Sequence, residues 1–330
     1  MIENKRIFIT GGAGFIGSTV AGRLLDSNHV WIYDNLDRDS LKDREFAGHD
    51  HLELIVGDVL DRESLRKAIA RVRPTHIIHC AAIAGIDTVI RKPVKTMQVN
   101  LTGTGNLFLS LTDMDGLRDI ERVVIFSTSE VFGSHAFMSG EQDKAVIGTV
   151  GEARWTYAVS KLASEHLALA YFKERKMPVV VLRPFNVYGP GQIGEGALSI
   201  FIKQAIQGRD LDIHGNGTQI RAWCYIDDMI RGLLMALEHP KAVGETFNIG
   251  NQRAVTTIYG LANTVVRVLG SSSKIKFVTW DHADIELRVP DVSKARDLLG
   301  FEAKVGLDEG IEMTAGYLKG LLASHGGGGR

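Results

Sequence analysis

Short apolar runs alternate with longer amphipathic stretches over the first 185 residues of this 330-residue chain. Strands that alternate with helices imply right-handed crossovers and a parallel, doubly wound α/β sheet. We predict strands over residues 5–10, 30–34, 51–56, 75–81, 123–127 and 179–183, with helices between them that include about 94–112 and about 155–173.

The pattern changes after about residue 185, where glycine-containing loops such as 188–192 and 214–218 separate shorter elements. We expect this part to form a smaller C-terminal, substrate-binding lobe over the carboxyl edge of the sheet, where open α/β sheets bind ligands. A helical pattern over 227–238 predicts a return to the first domain. The expected domains are therefore 1–185 with a returning segment near 225–250, a lobe over 186–325, and a disordered tail over 326–330.

The composition is that of an ordinary globular protein, with 45% hydrophobic residues and a formal net charge of −1. This charge gives no basic excess for a nucleic-acid partner, and no apolar run approaches the roughly 20 residues that span a bilayer. The N-terminus shows no cleaved signal peptide. Cys80 and Cys224 are far apart and lack metal-type spacing, so we expect free thiols in a reducing cytoplasm and no metal site.

The first strand runs directly into a glycine-rich turn and an apolar helix pattern, the context of a Rossmann-like dinucleotide site. Gly11 permits the tight turn, Gly14 lets the backbone approach a pyrophosphate, and Gly17 lets the helix pack on the sheet. The helix N-terminus, which includes Phe15 and Ile16, offers N–H groups to the phosphates.

Asp34 ends the second strand, where a carboxylate hydrogen-bonds the ribose hydroxyls of NAD and repels the extra phosphate of NADP. Arg38 weakens that distinction, but the pattern favours NAD. Asp58 and Val59 follow the third strand, where adenine should lie, although Asp58 could instead only cap a loop. The candidate cofactor contacts at these strand ends are Asp34, Asn35, Asp58, Val59, Ala81 and Ala82.

Tyr157 and Lys161 stand four residues apart in a helical pattern, which places them on one face about 5–6 Å apart at Cβ. A lysine that close should favour the phenolate, so that Tyr157 can act as a base at neutral pH. Together with a dinucleotide site, this pair predicts an enzyme that moves a hydride through a nicotinamide.

These residues resemble those of the extended short-chain dehydrogenase/reductases, and among them the NAD-dependent nucleotide-sugar epimerases, dehydratases and decarboxylases. The resemblance covers nearly the whole chain. Its motifs are Gly11, Gly14 and Gly17, Asp58, Asn100, segment 127–130, Tyr157 with Lys161, and segments 183–191, 221–228 and 288–295.

The resemblance implies roles for individual residues. Thr128 would hydrogen-bond the sugar hydroxyl that is oxidised, Tyr157 would take its proton, and Lys161 would hold the nicotinamide ribose and lower the tyrosine pKa. Asn100 would brace the site, unless it only caps a helix. Substrate contacts would come from Ser129, Asn186, Arg221 and Arg288, with a surface salt bridge as the alternative for Arg221. The helices 94–112 and 155–173 would form the seam of a homodimer.

Oxidation at sugar C4 gives a ketone that opens three routes: epimerisation, dehydration, or loss of a C6 carboxylate. Glu130 resembles the carboxylate of dehydratases, where it abstracts the C5 proton, and of UDP-glucuronate decarboxylases; a solvated loop carboxylate is the alternative. Residues 154–157 and Arg288 resemble bacterial UDP-glucuronate decarboxylases, so we favour decarboxylation. A 4-epimerase (hexose or uronate) and a 4,6-dehydratase stay open, as do an NADH-releasing dehydrogenase and a non-catalytic NAD sensor.

Overall fold

The computed structural model describes residues 2–113, 119–194, 196–280 and 284–326. A parallel sheet of seven strands forms the centre of this part of the chain. Chain order reverses between the first and fourth strands, which confirms the predicted doubly wound α/β fold. In spatial order the strands are β12 (Thr246–Ile249), β7 (Val179–Pro184), β5 (Arg122–Phe126), β4 (His76–His79), β1 (Arg6–Thr10), β2 (His29–Asp34) and β3 (Leu52–Val56).

Strands in the middle of the sheet are buried because helices cover both faces. β5 is buried at all five positions, whereas Leu54 and Val56 of the edge strand β3 are exposed. Ile7 and Ile9 of β1 belong to one apolar core and Phe8 to the other. Successive side chains of one strand therefore face opposite layers of helices.

The first of these cores packs α1 (Phe15–Leu24) and α8 (Ile226–Glu238) against the sheet. The second packs α2 (Arg62–Val72), α5 (Gly103–Thr112) and α6 (Thr156–Arg175). The helices are α1 (Phe15–Leu24), α2 (Arg62–Val72), α3 (Ile86–Arg91), α4 (Pro93–Met97), α5 (Gly103–Thr112), α6 (Thr156–Arg175), α7 (Ala197–Ile206), α8 (Ile226–Glu238), α9 (Ile258–Leu269), α10 (Ser293–Leu299) and α11 (Leu307–Gly326).

The helix predicted over about 94–112 is confirmed, with one irregular turn inside it. A π-helical turn over Gln98–Thr102 separates α4 from α5. The carbonyl oxygen of Asn100 accepts hydrogen bonds from the Thr104 and Ser164 hydroxyls, at 2.6 and 2.8 Å. Side chains that insert at a helical carbonyl are a known cause of such irregular turns, which often mark functional sites.

A second, smaller sheet and two short strand pairs lie in the C-terminal part. β6, which was not predicted, comes from the first half of the chain, while β12 from the second half completes the central sheet. The small sheet runs β13 (Val255–Thr257), β10 (Ile220–Ala222), β15 (Leu287–Pro290) and β6 (His135–Ser139), and the pairs are β8 (Val187–Tyr188) with β11 (Cys224–Tyr225) and β9 (Leu211–His214) with β14 (Ile275–Val278).

The division into two domains at residue 185 stays a prediction, because strands cross it in both directions. Of the expected tail, Gly326 ends α11 and residues 327–330 lie outside the described part. Within the described residues, no helix is both long and apolar enough to cross a membrane.

Candidate active site

The turn between β1 and α1 is shaped for close approach of a ligand. Gly11 has φ +66°, and a Cβ built on it would lie 2.4 Å from the backbone nitrogen of Ala81. A Cβ on Gly17 would lie 2.4 Å from the Gly11 carbonyl oxygen. Gly14 begins α1 without a side-chain cap, and a Cβ there would meet only that same oxygen, at 3.3 Å. The turn therefore leaves the helix N-terminus open to a phosphate.

Asp34 lies at the end of β2, next to this turn. Its Oδ2 accepts a hydrogen bond from the Ala13 backbone at 3.0 Å, and its Oδ1 accepts one from the Leu36 backbone at 2.7 Å. Burial raises the pKa of the Asp34 carboxyl, and the two backbone donors oppose that rise. Each carboxylate oxygen has a second lone pair, so Asp34 can still accept hydrogen bonds from ribose hydroxyls.

The other predicted cofactor residues follow the neighbouring strands. The Asn35 side-chain nitrogen lies 3.5 Å from Asp58 Oδ2, while Asp58 Oδ1 accepts from the Leu60 backbone at 2.9 Å. Asp58 thus caps its turn, and its predicted contact with the cofactor stays a prediction. Val59 is buried and Ala82 is exposed.

Tyr157 and Lys161 both lie on α6, as the spacing predicts. Asn100 Nδ2 donates to Ser160 Oγ and to the Ile83 carbonyl, each at 3.0 Å, and its Oδ1 accepts from the Ile83 backbone at 2.7 Å. This fully buried amide ties the segment after β4 to α6, at the position between the tyrosine and the lysine.

The expected effect of Lys161 on the tyrosine pKa was wrong for the protein by itself. Burial raises the pKa of Tyr157 to about 12, and the negative charge of Glu130 adds to the rise. A hydrogen bond to Thr128 and the charges of two nearby arginines lower it by less, and Lys161 is not among the perturbing groups. Burial also lowers the pKa of Lys161 to about 8. Desolvation of both groups outweighs their attraction.

Glu130 sits between two arginines. Its Oε2 accepts from Arg154 Nη1 at 2.6 Å, and its Oε1 accepts from Arg288 Nη1 at 3.3 Å. The same Arg288 nitrogen lies 3.3 Å from Ser129 Oγ, and the Glu130 backbone donates to Thr128 Oγ1 at 3.2 Å. Burial alone would raise the pKa of Glu130, but the two guanidinium groups lower it to about 2. The alternative of a solvated loop carboxylate was therefore wrong.

Arg221 and Arg288 occupy paired positions on β10 and β15. Arg221 Nη2 donates to Asp284 Oδ1 at 3.3 Å, an ion pair in which the arginine is buried and the aspartate is partly buried. Burial, with the charge of Arg288, lowers the pKa of Arg221 to about 9. Asn186 adopts a left-handed backbone, φ +36°, and its side chain donates to the Ala222 carbonyl at 2.8 Å.

A cavity of about 570 Å³ joins these side chains to the C-terminal lobe. Lys161 and the strand-end residues from Asp34 to Ala82 do not line it. At the far wall, the His214 and Trp280 rings stack with centroids 4.6 Å apart. The predicted site residues that line it are Phe15, Ile16, Thr128, Ser129, Glu130, Tyr157, Asn186, Arg221 and Arg288.

Some charged residues that line this cavity were not predicted as site residues, among them Arg154 and Asp284. Arg154 stands three residues before Tyr157, a spacing that would have placed both on one helical face, but we used it only as a mark of resemblance. Asp284 carries no local signal, because its partner Arg221 is distant in sequence.

The glycine turn, the open N-terminus of α1 and Asp34 fit the pyrophosphate and ribose of a dinucleotide, and the cavity beside Tyr157 fits a substrate to be oxidised. The fold and site therefore define a dinucleotide-dependent short-chain dehydrogenase/reductase. The model of a family described as the NAD dependent epimerase/dehydratase family matches residues 7–250, and the chain belongs to this family. It is an enzyme, and NAD is its cofactor.

Similar proteins include decarboxylases and an epimerase of nucleotide sugars. A UDP-N-acetyl-alpha-D-glucosaminuronate decarboxylase of Bacillus cytotoxicus is 32% identical over 96% of this chain and 98% of its own length. UDP-glucuronic acid decarboxylase 3 of Arabidopsis thaliana is 36% identical over 94% and 88%. A solved UDP-glucuronic acid 4-epimerase from Bacillus cereus, in complex with UDP-glucuronic acid and NAD, has a TM-score of 0.85 and 31% identity, with 96% of this chain and 99% of that chain covered.

Proposed function

We propose that this enzyme decarboxylates a UDP-linked uronic acid after oxidation at sugar C4. The observation that carries the proposal is Glu130, fixed between Arg154 and Arg288 beside Tyr157. The similar decarboxylases named above support the same reaction.

A dehydratase needs a base that removes the C5 proton, and Glu130 is a poor candidate. The carboxylate has a pKa of about 2, so its affinity for a proton is low at neutral pH. A general base works best when its pKa lies near the operating pH. Decarboxylation needs no base at C5, because the C5–C6 bond supplies the electrons when carbon dioxide leaves.

NAD would be held by the glycine turn at Gly11, Gly14 and Gly17 and by Asp34, with Lys161 at its nicotinamide ribose. When bound, NAD supplies the hydride acceptor for oxidation at C4. The resulting ketone is β to the C6 carboxylate, so the electron pair of the breaking C5–C6 bond can move onto the C4 oxygen as an enolate.

Thr128 and Tyr157 would act on that C4 oxygen. As a phenolate, Tyr157 would take the hydroxyl proton during oxidation, and the phenol so formed holds that proton when the enolate forms. The positive charge of bound NAD would favour this phenolate. The burial and raised pKa of Tyr157 make the neutral phenol a stable donor once the enolate forms. Thr128 would hydrogen-bond the same oxygen, while Asn186, Ser129, Arg221 and Arg288 would contact the sugar or the diphosphate.

A second candidate is a uronate 4-epimerase, which shares the C4 oxidation and then reduces the ketone from the other face. The likeness to the Bacillus cereus 4-epimerase, at 31% identity, supports this candidate.

Mass spectrometry of UDP-glucuronate incubated with the enzyme and NAD tests the proposal. We expect a nucleotide sugar that has lost carbon dioxide, and NADH absorbance will show whether the product stays a ketone. An isomer of unchanged mass would establish the 4-epimerase instead. Loss of water from a neutral UDP-hexose, with UDP-glucuronate unchanged, would refute the decarboxylase.

Tyr157→Phe is the matched variant for this assay, because it removes only the phenol hydroxyl. Loss of acid–base catalysis should lower kcat by roughly 100- to 10,000-fold. NAD should stay bound, as the glycine turn is unchanged. Full activity of this variant would show that the tyrosine has no catalytic role.

We also propose a homodimer that uses α5 and α6, since Leu109 and Val159 on these helices are about 40% exposed. Cys80 and Cys224 are free thiols, which suits a cytoplasmic enzyme. Light scattering of the purified protein will give its oligomeric state.

A further inference from the structure

Five charged side chains form one group in the cavity wall beside Tyr157, here called the arginine cluster: Arg154, Arg221, Arg288, Glu130 and Asp284. Arg154 and Arg288 both donate to Glu130, and Arg221 donates to Asp284. The charges of all four other members act on the pKa of Arg221. The three arginine side chains are only 2%, 7% and 8% exposed.

The arginine cluster carries one positive charge more than its carboxylates neutralise, since three guanidinium groups face two carboxylates. The pKa of Glu130 is about 2, below neutral pH, and the pKa of Arg221 is about 9, above it. Both side chains are therefore charged at neutral pH. Asp87 and Asp212 line the same cavity, but neither is among the main charges that act on the pKa of Tyr157 or of the three arginines. Among the described residues, the wall next to Tyr157 thus holds an unbalanced positive charge, which is costly to bury without an anion.

Among the three arginines, Arg154 has the most buried nitrogens without a hydrogen-bond acceptor in the described part of the chain. Its Nη1 donates to Glu130, but its Nε and Nη2 have no acceptor within the described residues. Arg288 donates to both Ser129 and Glu130 through Nη1, and Nε is its one buried nitrogen without a partner among the described residues. Buried donors of a charged group that lack acceptors cost more than neutral ones.

We propose that Arg154 determines the selection of a sugar whose C5 substituent is a carboxylate over the corresponding neutral hexose. This role of Arg154 rests on the proposed function, because oxidation of the sugar at C4 by Tyr157 places the C6 carbon beside that tyrosine. A substrate carboxylate brings the arginine cluster to neutrality, whereas a hydroxymethyl group leaves it at +1. A guanidinium also matches a carboxylate in shape, with planar donors facing planar acceptors.

Calorimetric titration of the NAD-loaded enzyme with UDP-glucuronate and with UDP-glucose tests this role, with Tyr157→Phe present in every protein titrated so that the ligand is bound and not converted. The wild type should bind UDP-glucuronate at least about tenfold more tightly. Arg154→Gln should reduce that ratio by about 10- to 100-fold, almost entirely through weaker binding of UDP-glucuronate. Arg154→Lys keeps the positive charge but lacks the planar guanidinium. Its affinity ratio for the two ligands should therefore lie between the ratios of the wild type and of Arg154→Gln.

Two further variants separate a change in ligand preference from a general loss of stability. Arg122 is also a buried arginine, but it donates to the Ala236 and His239 carbonyls and does not line the cavity. Arg122→Gln should therefore lower thermal stability and keep the wild-type ratio. Glu130→Gln removes a negative charge from the arginine cluster and should raise the preference for UDP-glucuronate.

The outcomes distinguish this inference from the proposed function. If the wild type prefers and decarboxylates UDP-glucuronate and Arg154→Gln keeps the same ratio, only the role of Arg154 is overturned. An equal loss of preference in Arg122→Gln would overturn that role as well. If the wild type neither prefers nor converts UDP-glucuronate, the proposed function fails and the role of Arg154 fails with it.

Discussion

His79 shows how one buried side chain links the central sheet to α5. Thr104 donates its proton to the Asn100 carbonyl, so its oxygen must accept from His79 Nε2, 3.0 Å away. His79 Nδ1 then accepts from Thr10 Oγ1 at 2.6 Å. The ring is therefore neutral, with its proton on Nε2. Burial lowers the pKa of His79 to about 3, and the charge of Lys161 adds to this effect.

Stability should therefore fall as the pH drops from about 7 to about 5. The folded pKa lies below the unfolded value of about 6.5, so the unfolded chain binds more protons in this range. The stability contribution is complete above about pH 6.5 and is lost as the pH falls toward 3. Urea unfolding should show a loss on the order of 1–2 kcal/mol from His79 by pH 5.

His79→Gln should be less stable at neutral pH but should show a weaker pH dependence. The exposed His135, which pairs with Glu286 on the surface, provides the control. His135→Gln should keep the wild-type pH dependence. An unchanged slope in His79→Gln would show that other groups cause the acid sensitivity.

Among the elements, the strands of the central sheet could be predicted from local sequence because buried parallel strands are continuous apolar runs. The π-helical turn between α4 and α5 could not. It depends on Asn100, whose partners Ile83 and Ser160 are distant in sequence, and helical periodicity does not report such contacts. The pairing of Glu130 with Arg154 and Arg288 escaped prediction for the same reason.

Asn100→Ala should loosen α6 and lower kcat by at least about tenfold, because it leaves the Ile83 backbone groups without partners and frees the segment that carries Tyr157. The expected loss of stability is about 1–3 kcal/mol. Steady-state kinetics and urea unfolding of the same preparation will measure both.

Asn251 is the matched control, as another buried asparagine that bridges backbone groups, those of Val305 and Arg253. It does not line the substrate cavity. Asn251→Ala should lose similar stability with kcat unchanged. If both variants lose kcat equally, the bracing role of Asn100 is refuted.

At the scale of the whole molecule, the sequence predicted the fold class and the changed pattern after residue 185, but not how the two parts interleave. β6 has a mixed, short pattern with one fully buried position, so it lacked a strand signal. Its partner β15 lies far along the chain. Pairing between strands that are distant in sequence depends on how the whole C-terminal part packs, and local strand propensity does not report it.

NAD should stabilise the whole molecule, because it binds only the folded chain. At about 100 times Kd the gain is roughly 2.7 kcal/mol, which raises Tm. Gly14→Val should fold, since the backbone of Gly14 is extended and a Cβ there meets little, but its side chain would fill the space for the pyrophosphate. The NAD-induced rise in Tm should therefore disappear in this variant.

Gly48→Val serves as the control, because a Cβ on Gly48 meets nothing within 4 Å. It should keep the full NAD-induced shift. A normal shift in Gly14→Val would contradict the assignment of the glycine turn to the pyrophosphate.

The return of β12 to the central sheet has a consequence for synthesis on the ribosome. β7 ends at Pro184, but its outer neighbour β12 begins only at Thr246. Until that later segment emerges, a nascent chain presents β7 as an open edge with unpaired backbone groups, a template for aggregation. A fragment that ends at residue 185 should have the same unpaired edge and should aggregate more readily than the full chain.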